Sequence, residues 1–233
     1  MRNLALLVLI ALAAVFSMAT SLSSQAAPPR PSEVNEHALR GERNFLTGHE
    51  ASNGDGTYNM VVEIPTGTSQ KWEICTVASL AEPAKYPGCT AAGREMVHEV
   101  RDGARRVIRH IGYPGNYGAI PRTRAGDGDP LDVIAIGPAA QRGTVIPVRI
   151  VGVIRCMDGD DQDDKLVAIT RDSPLHGVSS AAELEAKAPQ AADIIFRWFM
   201  SYKGADAMAC SPMADQTVAA ALIAEGRSAF TAP

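Results

Sequence analysis

The chain has 233 residues, 46% hydrophobic and 21% charged, with a formal net charge of −4. That composition suits an ordinary globular domain and excludes long disordered or low-complexity stretches. The mild negative balance argues against nucleic acid, which demands a basic footprint, so an anionic ligand would have to be held by local cations.

Residues 1–26 read as a signal peptide. Arg2 supplies a positive start, "LALLVLIALAAVF" a short apolar run, and "SSQAAPPRP" small residues, with Ser24 and Ala26 placed for cleavage. The competing reading is a membrane anchor, since weak hydrophobicity extends to Met18. No cysteine follows the leader, which argues against a lipoprotein. The expected location is periplasmic or secreted, with no membrane association after cleavage. In such a compartment Cys75, Cys89, Cys156 and Cys210 are expected to pair at least in part. Proximity favours Cys75 with Cys89, and no C-x-x-C spacing suggests a zinc ribbon.

Residues 27–57, rich in Pro, Asn, Gly and charge, read as an N-terminal arm outside the core. A catalytic domain is expected over 58–233. "YNMVVEIP" alternates as a strand, with Met60, Val62 and Ile64 on one face. After the turn cluster "PTGTSQ", "KWEICTV" alternates again, so the two predict a hairpin that gathers Glu63, Lys71 and Glu73. The stretch from Leu80 to Arg106 reads as irregular. "LDVIAIG", "VIPVRIVGVIR" and "KLVAIT" predict strands between polar turns. From Ala182 to Tyr202 the period becomes helical, broken at Pro189, with Ile195, Phe199 and Tyr202 on one stripe and Gly204 as a stop. A last helix is predicted to start at Ser211-Pro212. Short strands followed by helices indicate an α+β fold, a small barrel or sheet with helices outside.

Common catalytic signatures are missing. There is no G-x-S-x-G elbow and no Walker loop, and His98-Glu99 is followed by Asp102 where a zincin needs its second His. Two acidic knots stand out instead. "DGDPLD" holds Asp127, Asp129 and Asp132, and "DGDDQDDK" holds five aspartates between Asp158 and Asp164, closed by Lys165. Each alone could be a solvated turn. Both adjoin apolar strands, however, and strand ends meet in space. Carboxylates gathered there would suit hard divalent cations shared with substrate phosphates. An EF-hand from Asp158 fails, with Asp163 at the required glycine and Ile169 at the required glutamate.

The segments "NYGAIPRTRAGDGDPLDV" and "VGVIRCMDGDDQDDKLVAI" resemble the soluble family I inorganic pyrophosphatases, from about Met60 to Lys203. The resemblance implies a small OB-like closed β-barrel with two or more helices packed outside. It implies hydrolysis of pyrophosphate to two phosphates by a metal-activated water, several Mg2+ ions per site, and a homo-oligomer, with hexamers among bacterial relatives. Carried over residue by residue, it implies Asp127, Asp132, Asp158 and Asp163 as the chief metal ligands, with Glu63 and Glu73 around them. Asp129 becomes the general base and Tyr117 an active-site tyrosine. Lys71, Arg105, Lys165, Tyr202 and Lys203 would grip phosphate. Arg105 lies eight residues before Tyr113, with Arg106 its immediate rival.

This sequence departs from the family pattern at Gly159, where an acidic residue is usual and where Asp160 or Asp161 could substitute. It also carries an insertion between Glu73 and Arg105 that includes Cys89. The alternatives are an exported divalent-cation binding protein without catalysis, and a phosphohydrolase of organic phosphates. The second would need a base- or sugar-binding platform, which the 5% aromatic content does not offer.

Overall fold

The computed structural model describes residues 30–205 and 207–231; the expected signal peptide lies outside the described residues. In chain order the elements are β1 (Ser32–Asn35), β2 (Ala38–Arg40), β3 (Tyr58–Ile64), β4 (Trp72–Ile74), α1 (Val77–Leu80) and β5 (Glu95–His98). Next come β6 (Val100–Arg101), β7 (Ala104–Arg105), β8 (Asn116–Ala119), β9 (Asp132–Ile136) and β10 (Val145–Ile154). The remainder is β11 (Cys156–Asp158), β12 (Asp161–Gln162), β13 (Lys165–Thr170), α2 (Ala181–Lys187), α3 (Ala191–Ser201), β14 (Met208–Cys210), β15 (Ala214–Asp215) and α4 (Gln216–Ala229).

The principal sheet runs β13-β9-β8-β3-β10-β15, and β13 also pairs with β10. That extra pairing closes five strands into a barrel, as expected for the α+β, OB-like class. The strands read as nearly continuous apolar runs because both faces are covered. In β13, Val167 and Ile169 join a core with Trp198 and Phe199 of α3, while Leu166 and Ala168 join one with Ala219 and Ile223 of α4. β9 divides the same way, Ile134 to the first and Val133 and Ala135 to the second. Gly118 is needed in β8 because a Cβ there would strike the carbonyl of Val61 on β3.

The predicted hairpin does not form. β3 pairs with β8 and β10, whereas β4 pairs with β5 in a second sheet ordered β1-β2-β5-β4. The two segments are instead joined by a side chain, with Ile74 N donating to Glu63 Oε1 at 2.8 Å. The arm expectation is corrected too. β1 and β2 belong to the second sheet, and Ala38, Phe45, Leu46 and Ala51 are buried. Burying Phe45 contributes about 2 kcal/mol, so this stretch is part of the core. The region read as irregular holds β5 and the β6–β7 hairpin.

Pro189 breaks the helical run as expected. Ala188 leaves the helical region (φ −140°, ψ 73°), as the residue before a proline is disfavoured there, and α3 restarts at Ala191. The last helix begins later than the Ser211-Pro212 signal suggests. The chain first forms β15, and Asp215 then caps α4 by accepting from Thr217 N and Val218 N. All four cysteines are bridged, Cys75 with Cys89 as favoured by proximity, and Cys156 with Cys210. Loop closure in the unfolded chain makes these worth about 3 and 4 kcal/mol respectively.

Glu95 anchors the second sheet. Its buried carboxylate accepts from Thr90 N and Oγ1, from Ala91 N and from Arg40. Burial alone would raise its pKa, but these donors outweigh it and hold the group below its ordinary value. The stabilisation is therefore complete above the unfolded-state pKa and is lost as pH falls through the folded one. Glu95→Gln should destabilise the protein by about 2 kcal/mol at pH 7, with the deficit shrinking in the acid range below pH ~4.5. Urea unfolding of both proteins across that range checks this.

Candidate active site

The two acidic knots meet where β9 and β13 run parallel, in a register that sets Asp132 opposite Lys165. Lys165 is buried, and its Nζ lies 2.5 Å from Asp132 Oδ2, 3.3 Å from the Tyr117 hydroxyl, and against Asp163. Tyr117, from β8, donates to the same Asp132 oxygen at 2.5 Å. Burial would drive the Lys165 pKa down, but Asp132 and Asp163 hold it above the ordinary value. Asp163 is held low against its burial by Lys165, while Asp132 is pushed up by burial beside Asp163.

Period-two alternation explains which aspartates of the second knot enter. Asp163 and Lys165 point one way. Asp164, between them, points the other way, accepting from Cys156 N at 3.0 Å and Arg155 Nε at 2.7 Å. Asp160, in the turn, and Asp161, on β12, lie exposed beside Gly159, which adopts φ +63°. Asp158 is paired with Lys203, which follows α3. Tyr202 stacks on Trp198 at 4.6 Å between ring centres.

The second wall comes from β3 and β4. Lys71 Nζ lies 2.9 Å from Glu73 Oε1 and over the Tyr117 ring at 5.2 Å. Burial pushes Glu63 up to about 8, with Lys71 opposing and Asp132 reinforcing the shift. Glu73 is held low: burial opposes the shift, but the Lys71 ammonium outweighs it. The signature loop closes the rim. Asp129 N donates to Asp127 Oδ1 at 3.0 Å, and Gly128 between them takes φ +95°, a conformation suited to glycine. Partial withdrawal from water, then the charges of Asp127, Glu73 and Asp132, push Asp129 up to about 6. Asp127 is raised by burial and by Asp163.

One predicted residue falls outside. Arg105 extends from β7 to Glu36 of the N-terminal stretch, at 2.5 Å. Its neighbour Arg106 turns inward, paired with Glu99 at 2.5 Å and within electrostatic reach of Glu73 and Tyr202. The register between Lys71 N and Arg106 O (3.0 Å) fixes that choice. Sequence reasoning also missed Tyr113, buried between Tyr117 and Trp198. Its place in "GYPGNYG" was the available signal.

The donor set suits hard cations. Asp127, Asp129, Asp132, Asp158, Asp163, Glu63 and Glu73 face Lys71, Arg106, Lys165 and Lys203, leaving negative charge uncompensated. Burial first, and neighbouring carboxylates after it, raise Glu63 and Asp129, and every donor is an oxygen. Among the described residues no three His, Cys, Asp or Glu side chains already stand at coordinating spacing. Lys165 and Lys203 lie against the aspartates instead.

The family model described as inorganic pyrophosphatase matches residues 60–231. An inorganic pyrophosphatase of Drosophila melanogaster is 34% identical over 164 residues, 63% of this chain and 45% of that one. An inorganic pyrophosphatase of Helicobacter pylori is 33% identical over 135 residues, covering 56% of this chain and 73% of its own length. The solved structure of inorganic pyrophosphatase from Schistosoma japonicum superposes with a TM-score of 0.67 at 26% identity, covering 82% of this chain and 71% of that one. The chain spans about half the length, or less, of the first curated relatives it matches.

Lys165→Met would leave Asp132 and Asp163 facing each other without their shared cation. In the absence of divalent ions this should cost about 3–5 kcal/mol. Added Mg2+ should recover part of the loss, as read from urea unfolding with and without the ion. Unchanged stability in the ion-free variant would contradict the arrangement.

Proposed function

The chain belongs to the inorganic pyrophosphatase family, and from that premise we propose that it hydrolyses pyrophosphate to two phosphates. The observation that carries this reading is the Asp132–Lys165 register, which joins two acidic segments distant in sequence into one rim facing Lys71, Arg106 and Lys203. Such a rim matches a small, densely anionic substrate.

Asp127, Asp132, Asp158 and Asp163, with Glu63 and Glu73, are the residues that would hold divalent cations, with Mg2+ the proposed ion. When bound, such ions neutralise the substrate and lower the pKa of attacking water. The remaining chemistry belongs to the chain. Lys71, Arg106 and Lys203, with the Tyr202 hydroxyl, grip phosphate oxygens by charge-assisted hydrogen bonds and stabilise charge on the leaving phosphate. Lys165, buried behind them, fixes Asp132 and Asp163. Tyr117 orients Asp132 through its 2.5 Å bond. Asp129, poised near 6, is ionised at neutral pH and basic enough to accept the proton of the attacking water.

Two further parts of the reading concern setting. We infer export to the periplasm or beyond, supported by the leader-like residues 1–26 and by two bridges that an oxidising compartment maintains. We also infer a homo-oligomer, with a hexamer as the reference state. Ile111 and Ile194, both exposed near the outer side of α3, support self-association.

The deciding experiment compares phosphate release from pyrophosphate and from ATP, with Mg2+ and with EDTA. Activity is expected on pyrophosphate with Mg2+ alone; turnover favouring ATP, or none on pyrophosphate, would overturn the reading. Asp129→Asn should fold normally and lower kcat by about 10²–10⁴-fold. Wild-type turnover in that variant removes Asp129 as the base. Arg106→Ala should cut kcat/KM by at least about tenfold, while Arg105→Ala stays near wild type. The reverse order would restore Arg105 to the site.

A further inference from the structure

The bridge between Cys156 and Cys210 joins the two segments that meet at the phosphate end of the site. The antiparallel register of β11 and β14 sets Cys156 opposite Cys210 and Asp158 opposite Met208. The main chain of Cys156 also holds the far limb of the acidic loop. Its carbonyl accepts from Asp163 N at 2.9 Å, and its amide donates to Asp164 Oδ1 at 3.0 Å. One residue therefore grips both ends of the loop that carries Asp158 and Asp163.

The opposite partner leads to the cationic side. β14 follows closely on Lys203, which reaches across to Asp158. Cys210 N also contacts Met200 Sδ of α3 at 3.1 Å, and Ser211 N donates to Arg155 O at 2.8 Å. These contacts form a sheet of three very short strands, β12-β11-β14. A sheet this small does not hold its own register in water. The loop cannot stiffen itself either: residues 159–162 are exposed, and Gly159 sits at a permissive φ of +63°. The other site elements, β3, β8, β9 and β13, belong to the closed barrel and need no such clamp.

We propose that the Cys156–Cys210 disulfide is a positioning element for phosphate binding, holding Asp158 and Asp163 in register with Lys203. Opening it loosens the grip on phosphate while the barrel stays folded. The idea rests on the pyrophosphatase reading and deepens it. A dithiol reductant opens the bridge by thiolate attack on the Sγ of Cys210, the less buried partner. Cys156 leaves as thiolate and takes a proton. The second thiol of the reductant then resolves the mixed disulfide, freeing Cys210 as a thiol and closing the reductant as its own disulfide.

The test is the full chain carrying Cys156→Ser with Cys210→Ser. KM for pyrophosphate and the calorimetric Kd for inorganic phosphate should each rise about tenfold. Ile223→Ala, in the core under α4, serves as a destabilised control with both quantities unchanged. Unaltered KM and Kd in the cysteine variant, or equal rises in the control, would overturn the proposal. If the cysteine variant does not fold, a Cys75→Ser, Cys89→Ser protein, which keeps only this bridge, is compared before and after dithiothreitol. A reversible loss of phosphate affinity supports the clamp; an unchanged Kd sinks it. Absence of pyrophosphate turnover in the wild type would defeat the functional reading alone, since the phosphate titration still decides whether the bridge sets anion affinity.

Discussion

The structure depends on one buried cation shared by two carboxylates from different strands. Lys165 is removed from water, a cost that only Asp132 and Asp163, with the Tyr117 hydroxyl, can offset. The geometry is set by backbone pairing rather than by the side chains themselves. β9 and β13 are parallel, locked between β8 and β10, so Asp132 and Lys165 start their strands side by side. A slip of one residue would present Asp164 to the site and turn Lys165 outward. Barrel closure forbids that slip, because every strand of the ring has two neighbours.

Around this pair the site is electrostatically unfinished. Four cations face seven carboxylates, and burial acts on those acids unequally. Glu63 is pushed to about 8 by burial yet still accepts from Ile74 N. Glu73, a few residues away, is kept ionised by Lys71. Neighbouring acids pushed in opposite directions are characteristic of functional sites.

Much of this was legible in the sequence because the barrel strands are covered on both faces, so their apolar runs are long. The two acidic knots were legible because each abuts such a run. Other features were hidden for definable reasons. β3 and β4 are adjacent in sequence but belong to different sheets, joined by the Glu63 carboxylate and by Val61 packing with Trp72 and Ile74. The stretch before residue 58 is polar in composition, yet Phe45 and Leu46 suffice to sink it into the core. Ser211-Pro212 imitates a helix start, and Asp215 supplies the real one. Counting back from Tyr113 could not separate Arg105 from Arg106. That choice rests on the hydrogen bond of Arg106 O to Lys71 N, a long-range contact no spacing reveals.

The two covalent bridges differ in the timing they permit. Cys75 and Cys89 are 14 residues apart and can join while most of the chain is still being made; Cys156 waits for a partner 54 residues on. Cys210 is the last of the four thiols to emerge during synthesis. Until it does, Cys156 is free to couple wrongly with an earlier cysteine. The second bridge is thus the last to close, and a misoxidised chain keeps the five-stranded barrel while losing the tie between β11 and β14.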